Sequence, residues 1–374
     1  AIPMSVISVG NGAFDGCTSL KAVFAKEGLP LESASIPSGA VKIYYQVEDL
    51  GYVSILKARA NAQTSIESIE IPRTIGGLDV RTIKEEAFRD CGNIKNIILP
   101  DSIREIQNSA FSYCTSLESI NIPVGITSIG DYAFEDCTAL KSVVIPQSVT
   151  NIGYAAFSRC DKLVSIDIPM GVSMISNRTF ENCISLTAIN IPTSVRQIGD
   201  ESFMGCTALE SIDIPEGVTS VGQRAFMHCT ALESAALPDS LTEIKAGAFQ
   251  DCTALKSINI PKGVTSIEAF AFSYCQALAD VTLPESIQGI DMCAFDSCPS
   301  LETIVLPPST TYVRVSAFAN CTSLKTIFLP QNAAQETASI PDSTAKIYYT
   351  KNPDGNVTIS DVKEGNETSF VIPE

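Results

Sequence analysis

The sequence predicts a repeat solenoid, a stack of short coils that each lay one strand into a parallel sheet and return through an extended segment and a tight turn. Three observations lead there. Cys91, Cys114, Cys137, Cys160, Cys183, Cys206, Cys229, Cys252, Cys275, Cys298 and Cys321 fall at an unbroken spacing of 23. A phenylalanine stands three residues before each of them, from Phe88 to Phe318. Between cysteines the apolar residues keep fixed places, and such self-similarity overrides the two or three ordinary domains that 374 residues would suggest.

Counted from each cysteine as zero, apolar residues recur at +3, +6, +8, +12, +15, +19 and +20; after Cys114 these are Leu117, Ile120, Ile122, Ile126, Ile129, Ala133 and Phe134. The L-E-S-I-N-I-P segment alternates, Ile120 and Ile122 facing one way and Ser119 and Asn121 the other, which predicts a short strand. Pro123 has no N–H and ends it. After a polar turn, V/I-T-x-I-G predicts an extended return. The three-residue step of Ala-Phe-x-x-Cys predicts one helical or 3₁₀ turn that puts Phe and Cys on one face. A single coil cannot bury these side chains alone, so each coil must present the same shapes to its neighbours.

The flanks repeat at a larger scale. Residues 17–45 align without a gap on residues 321–349, and LGYVSILK at 50–57 followed by IEIP at 69–72 is similar to DGNVTISD at 354–361 followed by FVIP at 370–373. The expected organisation is therefore 1–49, the end of a preceding array with its closing module; 50–88, a capping segment; 89–330, regular repeats; 331–349, a closing module; and 350–374, the start of a further array. GGLDV, at 76–80, is the expected insertion of the capping segment.

The formal charge of −17 opposes binding to nucleic acid or bare anionic membrane, because phosphate contacts need Lys or Arg. No apolar run of about 18 residues is present to insert in a membrane. Thirteen cysteines raise zinc and disulfides as alternatives. Isolated cysteines with a single histidine do not have zinc-site spacing. Stacked cysteines about 4.8 Å apart have parallel side chains, poorly aimed for bridging, so they read as a ladder of buried free thiols.

The L-x-x-I-x-I-P and A-F-x-x-C-x-x-L pattern, in eleven units from Phe88 to Leu324, resembles the leucine-rich repeats of the BspA-like surface-protein family. The resemblance implies a right-handed leucine-rich repeat coil with the parallel sheet on the concave face and short 3₁₀ or extended segments on the convex face. It also implies a non-catalytic module, extracellular or on the cell surface, that binds a host or other extracellular protein, including matrix glycoproteins. The residues themselves leave two alternatives open, a passive spacer and a glycan-binding module.

No catalytic, cofactor or metal motif stands out, and no cofactor is expected. His228, the one histidine, occupies a variable position before Cys229 and reads as a surface residue. The candidate contact residues are the outward strand positions at +5 and +7: Ser119, Asn121, Ser165, Asp167, Asn190, Ser211, Asp213, Ser257 and Asn259. Asp167 and Asp213, in one column, favour a basic or hydroxyl-rich ligand. The scarcity of aromatics, Phe328 being the one in the column, counts against stacking on sugar rings. Eleven strands span roughly 50 Å, enough for an interface of about 800 Å² per partner with a monomeric chain. Cys293, outside the regular series, is expected to be the exposed thiol.

Overall fold

The computed structural model describes residues 1–31, 34–60, 64–335, 339–353 and 356–363. It is a β-solenoid of about 14 turns built on parallel sheets, with no helix among the described residues. The chain forms two compact units, Ala1–Leu186 and Thr187–Glu374.

The regular coils contribute to two parallel ladders, except that residues 142–144, expected as a strand, form none and interrupt the first ladder. In the first unit, Asn96–Ile98 pairs with Ile69–Glu70 on one side and Ser119–Ile120 on the other, with Asn96 opposite Ser119 one repeat later. In the second, Ser211–Asp213 pairs with Ser234–Ala236, Ser257–Asn259 with Asp280–Thr282, and Thr303–Val305 with Thr326–Pro330. The expected extended return is itself a ladder: Glu105–Ile106, Ser128–Ile129 and Asn151–Ile152 pair in series, as do Gln197–Ile198, Ser220–Val221 and Glu243–Ile244. The threonine of V/I-T-x-I fastens this ladder from outside, since Thr150, Thr242 and Thr311 donate to the carbonyls of Thr127, Thr219 and Gln288 one coil back.

The Ala-Phe-x-x-Cys step corrects the expectation of a helical or 3₁₀ turn. Positions +18 and +22 have left-handed backbone in coil after coil, as at Ser109 (φ 54) and Tyr113 (φ 60), and at Tyr132 (φ 57) and Asp136 (φ 55). These residues break the step into separate turns. Ser112 N–H closes on Ser109 O and Cys114 N–H on Phe111 O, whereas Ser109, Phe111 and Tyr113 donate to Asp131, Ala133 and Glu135 of the next coil at 2.8 Å each. A helix would direct every N–H back into itself and leave nothing for the neighbour. Left-handed backbone costs about 1–2 kcal/mol for a residue with a side chain, and the bonds to the next coil offset it.

The core follows the same translation. In the first unit the rings of Phe88, Phe111, Phe134, Phe157 and Phe180 stack in series with centroids 5.2 to 5.9 Å apart, and in the second Phe203, Phe226, Phe249, Phe272, Phe295 and Phe318 do the same at 5.2 to 5.6 Å. All eleven rings are fully buried. The eleven regular cysteines are free and buried, and their thiols are more than small apolar fillers. Cys137 Sγ donates to Phe111 O of the preceding coil at 3.2 Å, and eight further cysteines make the equivalent bond. Phe111 O already accepts Cys114 N–H, so the thiol occupies its second lone pair in a dry interior.

The two flanking modules have one geometry. Ala22–Lys26 pairs in parallel with Val41–Val47, which pairs antiparallel with Val53–Arg59 through a register shift at Tyr44 and Tyr45. Thr326–Pro330, Ala345–Lys351 and Val357–Lys363 repeat this with the shift at Tyr348 and Tyr349. In both, a tyrosine hydroxyl reaches back to a main-chain carbonyl, Tyr45 to Ile2 and Tyr349 to Leu306. The GGLDV insertion is a hairpin in which Gly76 and Gly77, both at positive φ, turn Thr74–Ile75 onto Leu78–Ile83. Leu78–Ile83 then pairs with Val53–Arg59 on one side and Glu105–Ile106 on the other. FVIP at 370–373 lies outside the described residues.

Two outcomes test this packing. Phe203→Ala removes a fully buried ring from the second unit's stack and is expected to lower stability by about 3–5 kcal/mol in denaturant titration; a loss below about 1 kcal/mol would contradict the ladder. Burial pushes the Cys91, Cys229 and Cys275 thiols up to about 12, whereas an unfolded thiol ionises near 8.5. The folded chain therefore holds protons that the unfolded chain gives up. Stability is full below about pH 8.5 and falls as pH rises from there toward about 12. Under reducing conditions the urea midpoint should be lower at pH 10 than at pH 7.

Candidate functional site

The outer face of the strand ladder is built by the pleat. Inward Ile120, Ile166, Ile212 and Ile258 are buried, and the residues on either side of each point to solvent. All nine candidate residues are exposed. Ser119, Asn121, Ser165 and Asp167 belong to the first unit, and Asn190, Ser211, Asp213, Ser257 and Asn259 to the second. Asp167 and Asp213 thus stand on different units, and each face carries one of them.

Two of the nine are already engaged. Asn121 Oδ1 accepts Leu99 N–H and its Nδ2 donates to Leu99 O, both at 2.8 Å, so its amide closes the ladder to the preceding coil. Ser119 Oγ donates to Asn96 Oδ1 at 2.6 Å. The carboxylates of Asp167 and Asp213 make no ion pair among the described residues. One position earlier, at +4, charges cancel along the stack: Lys95 with Glu67, Lys141 with Glu118, Lys256 with Glu233 and Lys325 with Glu302. The Lys141 ammonium holds the Glu118 carboxyl below the usual carboxylate range. The exposed pairs contribute little stability, and Glu70, Asp167, Asp213 and Asp280 are carboxylates of this face in no ion pair among the described residues.

The outward column also carries bare aliphatic surface. Ile98 and Val144, at +7 like Asn121 and Asp167, are 47% and 81% exposed. Phe328 corrects the expectation of an aromatic in this column, because it is buried against Ile347 and Tyr349 of the closing module. Two shallow hollows lie elsewhere. One of about 330 Å³ is lined by Glu85, Glu105, Gln107 and Ser128 on the return ladder, and another of about 620 Å³ lies between Thr18–Lys21, Pro37–Gly39 and Ser65–Ser68. Neither includes any of the nine.

Cys293 is half-buried, not exposed as expected; Cys17 is the exposed thiol. Cys293 occupies the left-handed +18 position at φ 55, and its main chain is bonded to Val315 O. Partial burial, with Asp296 adding to it, raises its thiol above the ordinary value. His228 is exposed, and its Nδ1 lies 2.7 Å from Asp251 Oδ2. No group of three or more His, Cys, Asp or Glu among the described residues could hold a metal ion.

A second period runs through this face. Ser-Ile-Asn/Asp-Ile-Pro-x-Gly begins at Ser119, Ser165, Ser211 and Ser257, 46 residues apart, so eight of the nine candidates fall on alternate coils. The intervening coils have serine where these have glycine. Ser240 Oγ accepts Gly217 N–H and donates to Val218 O, capping the glycine turn of the coil before it, and Ser148 and Ser286 reach back to Ile126 O and Val264 O in the same way. The glycine is required at Gly263, where a Cβ would come within 2.5 Å of Leu241 O. The alternation was present in the sequence as the S/G change after each proline, hidden beneath the stronger 23-residue cysteine signal.

Two parallel ladders, a stacked phenylalanine core and one regular coil per 23 residues define a leucine-rich repeat solenoid. Residues 1–43, 54–187, 173–262 and 242–361 match the model of the BspA type leucine rich repeat region in six copies, and the chain belongs to that family. Among solved structures it is similar to a leucine rich cell surface protein from Faecalibacterium prausnitzii A2-165, with 27% identity, 83% of this chain and 94% of that chain covered, and a TM-score of 0.56. It is also similar to a leucine-rich repeat protein from Bacteroides ovatus ATCC 8483, with 26% identity, 82% and 98% covered, and a TM-score of 0.52. Comparison with curated proteins gives no match. No helix among the described residues is long and apolar enough to cross a membrane.

Thiol accessibility follows from this geometry. With a large thiol reagent on the native chain, Cys17 should label first and Cys293 slowly, with the eleven ladder cysteines silent until unfolding. Mass spectrometry of the labelled peptides reads the order, and early labelling of any ladder cysteine would contradict the buried series.

Proposed function

We propose that the chain is a non-catalytic recognition module displayed on the cell surface or secreted, which binds an extracellular or host protein, including matrix glycoproteins, through the outer face of its strand ladder. The observation that carries this reading is the composition of the outward column in the first unit. It places exposed Ile98 and Val144 beside exposed Asn121 and Asp167, next to a Lys and Glu row that is internally neutralised. Mixed aliphatic and carboxylate surface suits a protein partner that brings its own apolar patch and a Lys or Arg. A glycan-binding face would be expected to offer exposed aromatic rings, and the one aromatic of this column is buried. The surface-protein character of the family and the likeness to the Faecalibacterium leucine rich cell surface protein support the location.

A passive spacer is the second reading, favoured by the duplicated closing modules, which would suit arrays joined in series. Binding to a panel of matrix proteins, cell-surface glycoproteins and glycans separates the two. The chain should bind at least one protein of the panel, and Val144→Lys with Asp167→Lys should weaken that binding at least tenfold, with Asp213→Lys testing the second unit on its own. Unchanged binding in all variants would move the site off this face, and absence of any binding would favour the spacer.

A further inference from the structure

The duplicated module contains one strand in two states. Val53–Arg59 and Val357–Lys363 are equivalent: each pairs antiparallel with the preceding strand through the same register shift, and each sets a cation over a tyrosine ring, Arg59 over Tyr44 and Lys363 over Tyr348. The first of them has its other edge occupied. Val53, Ser54 and Ile55 stand opposite Val80, Thr82 and Ile83 of the Leu78–Ile83 strand. Ile55 O also accepts Lys84 N–H, and Ala58 N–H donates to Ala87 O at the start of the first regular coil. Val53 and Ile55 are consequently fully buried.

The second strand has no such neighbour among the described residues. Val357 and Ile359, at the places of Val53 and Ile55, are 58% and 38% exposed. A strand edge with bare aliphatic side chains is a template for another strand, and natural proteins normally cover or charge such an edge.

We propose that the free edge and aliphatic face of Val357–Lys363 form a docking surface for the opening coil of a further repeat array. The chain's own occupied copy specifies the chemistry of the occupant. It is a parallel strand entered through a tight hairpin, with branched aliphatics at the places of Val80 and Ile83 and a small hydroxyl residue between. The N–H that follows this strand bonds the Ile359 carbonyl. The fit differs in one respect. Asn352 stands where Glu48 pairs with Lys84 at 3.0 Å, so the junction lacks that ion pair and rests on apolar contact and main-chain bonds. The proposal is independent of what the outer strand face binds.

The test extends the full chain with a second copy of its own residues 74–349 placed after Glu374, and reads amide exchange of Val357–Lys363 by mass spectrometry. Docking should slow these amides at least about tenfold, toward the rate of Val53–Arg59 in the same molecule. Val357→Lys with Ile359→Lys in the extended chain should restore fast exchange. Two results would overturn the proposal. One is an added array that becomes protected while Val357–Lys363 exchanges as before; the other is an added array that gains no protection at all beside an intact Val357–Lys363 strand.

Discussion

The structure depends on one constraint, that the backbone of each coil is hydrogen-bonded by the coil that follows. Three sets of such bonds run along each unit, through the two strand ladders and the left-handed turns. A main-chain bond to a neighbour fixes the rise per coil near the strand spacing of about 4.8 Å. At that rise a side chain meets its own equivalent one coil away, so the interior must be filled with residues that pack against copies of themselves. Phenylalanine does so by offset parallel stacking. Cysteine does so because its thiol both fills the space beside the ring and reaches the spare lone pair of the preceding phenylalanine carbonyl. Serine would be a poorer filler and alanine would leave the carbonyl half-satisfied, which accounts for cysteine holding this position through eleven coils.

The same translation places limits on the surface. Charges and hydroxyls one repeat apart are neighbours, so the Lys and Glu residues at +4 and the threonines of the return strand satisfy one another along the stack. Some outward positions escape this pairing. Asp167 and Asp213 do so by charge, and Ile98 and Val144 by apolar exposure. Asn121, of the same residue class as Asn259, is instead used as a structural clamp on Leu99. The two roles cannot be told apart by residue type, since an amide serves equally as ligand contact and as a substitute for a missing ladder bond.

The strand, the phenylalanine and cysteine ladders and the inward isoleucines were legible because their signals recur at every coil and rest on polarity alone. The turn before each cysteine was not legible. Left-handed residues at +18 and +22 are almost all non-glycine, Tyr, Asp, Arg, Asn, His and Cys among them, with Gly only at Gly205 and Gly247, and the conformation is held by hydrogen bonds to the next coil. Cys293 occupies one of these left-handed positions and is half-buried, which its place outside the regular cysteine series did not indicate. The two-coil alternation of Ser and Gly was legible in principle, but its meaning required seeing Ser240 reach Gly217 and Val218.

The sequence by itself determined that this is a stack of equivalent coils, which side chains face inward, and that the outer strand face is short-chained and acidic in places. These are matters of local periodicity and polarity, and each coil states them independently. Only the tertiary structure decided that the return segment is a second ladder, that the thiols are hydrogen-bond donors, that Phe328 is covered, and that Val53–Arg59 is enclosed while its duplicate has no second neighbour among the described residues. Those facts concern residues far apart in the sequence, such as Cys137 and Phe111, Phe328 and Ile347, or Val53 and Val80, and they depend on which coil lies next to which.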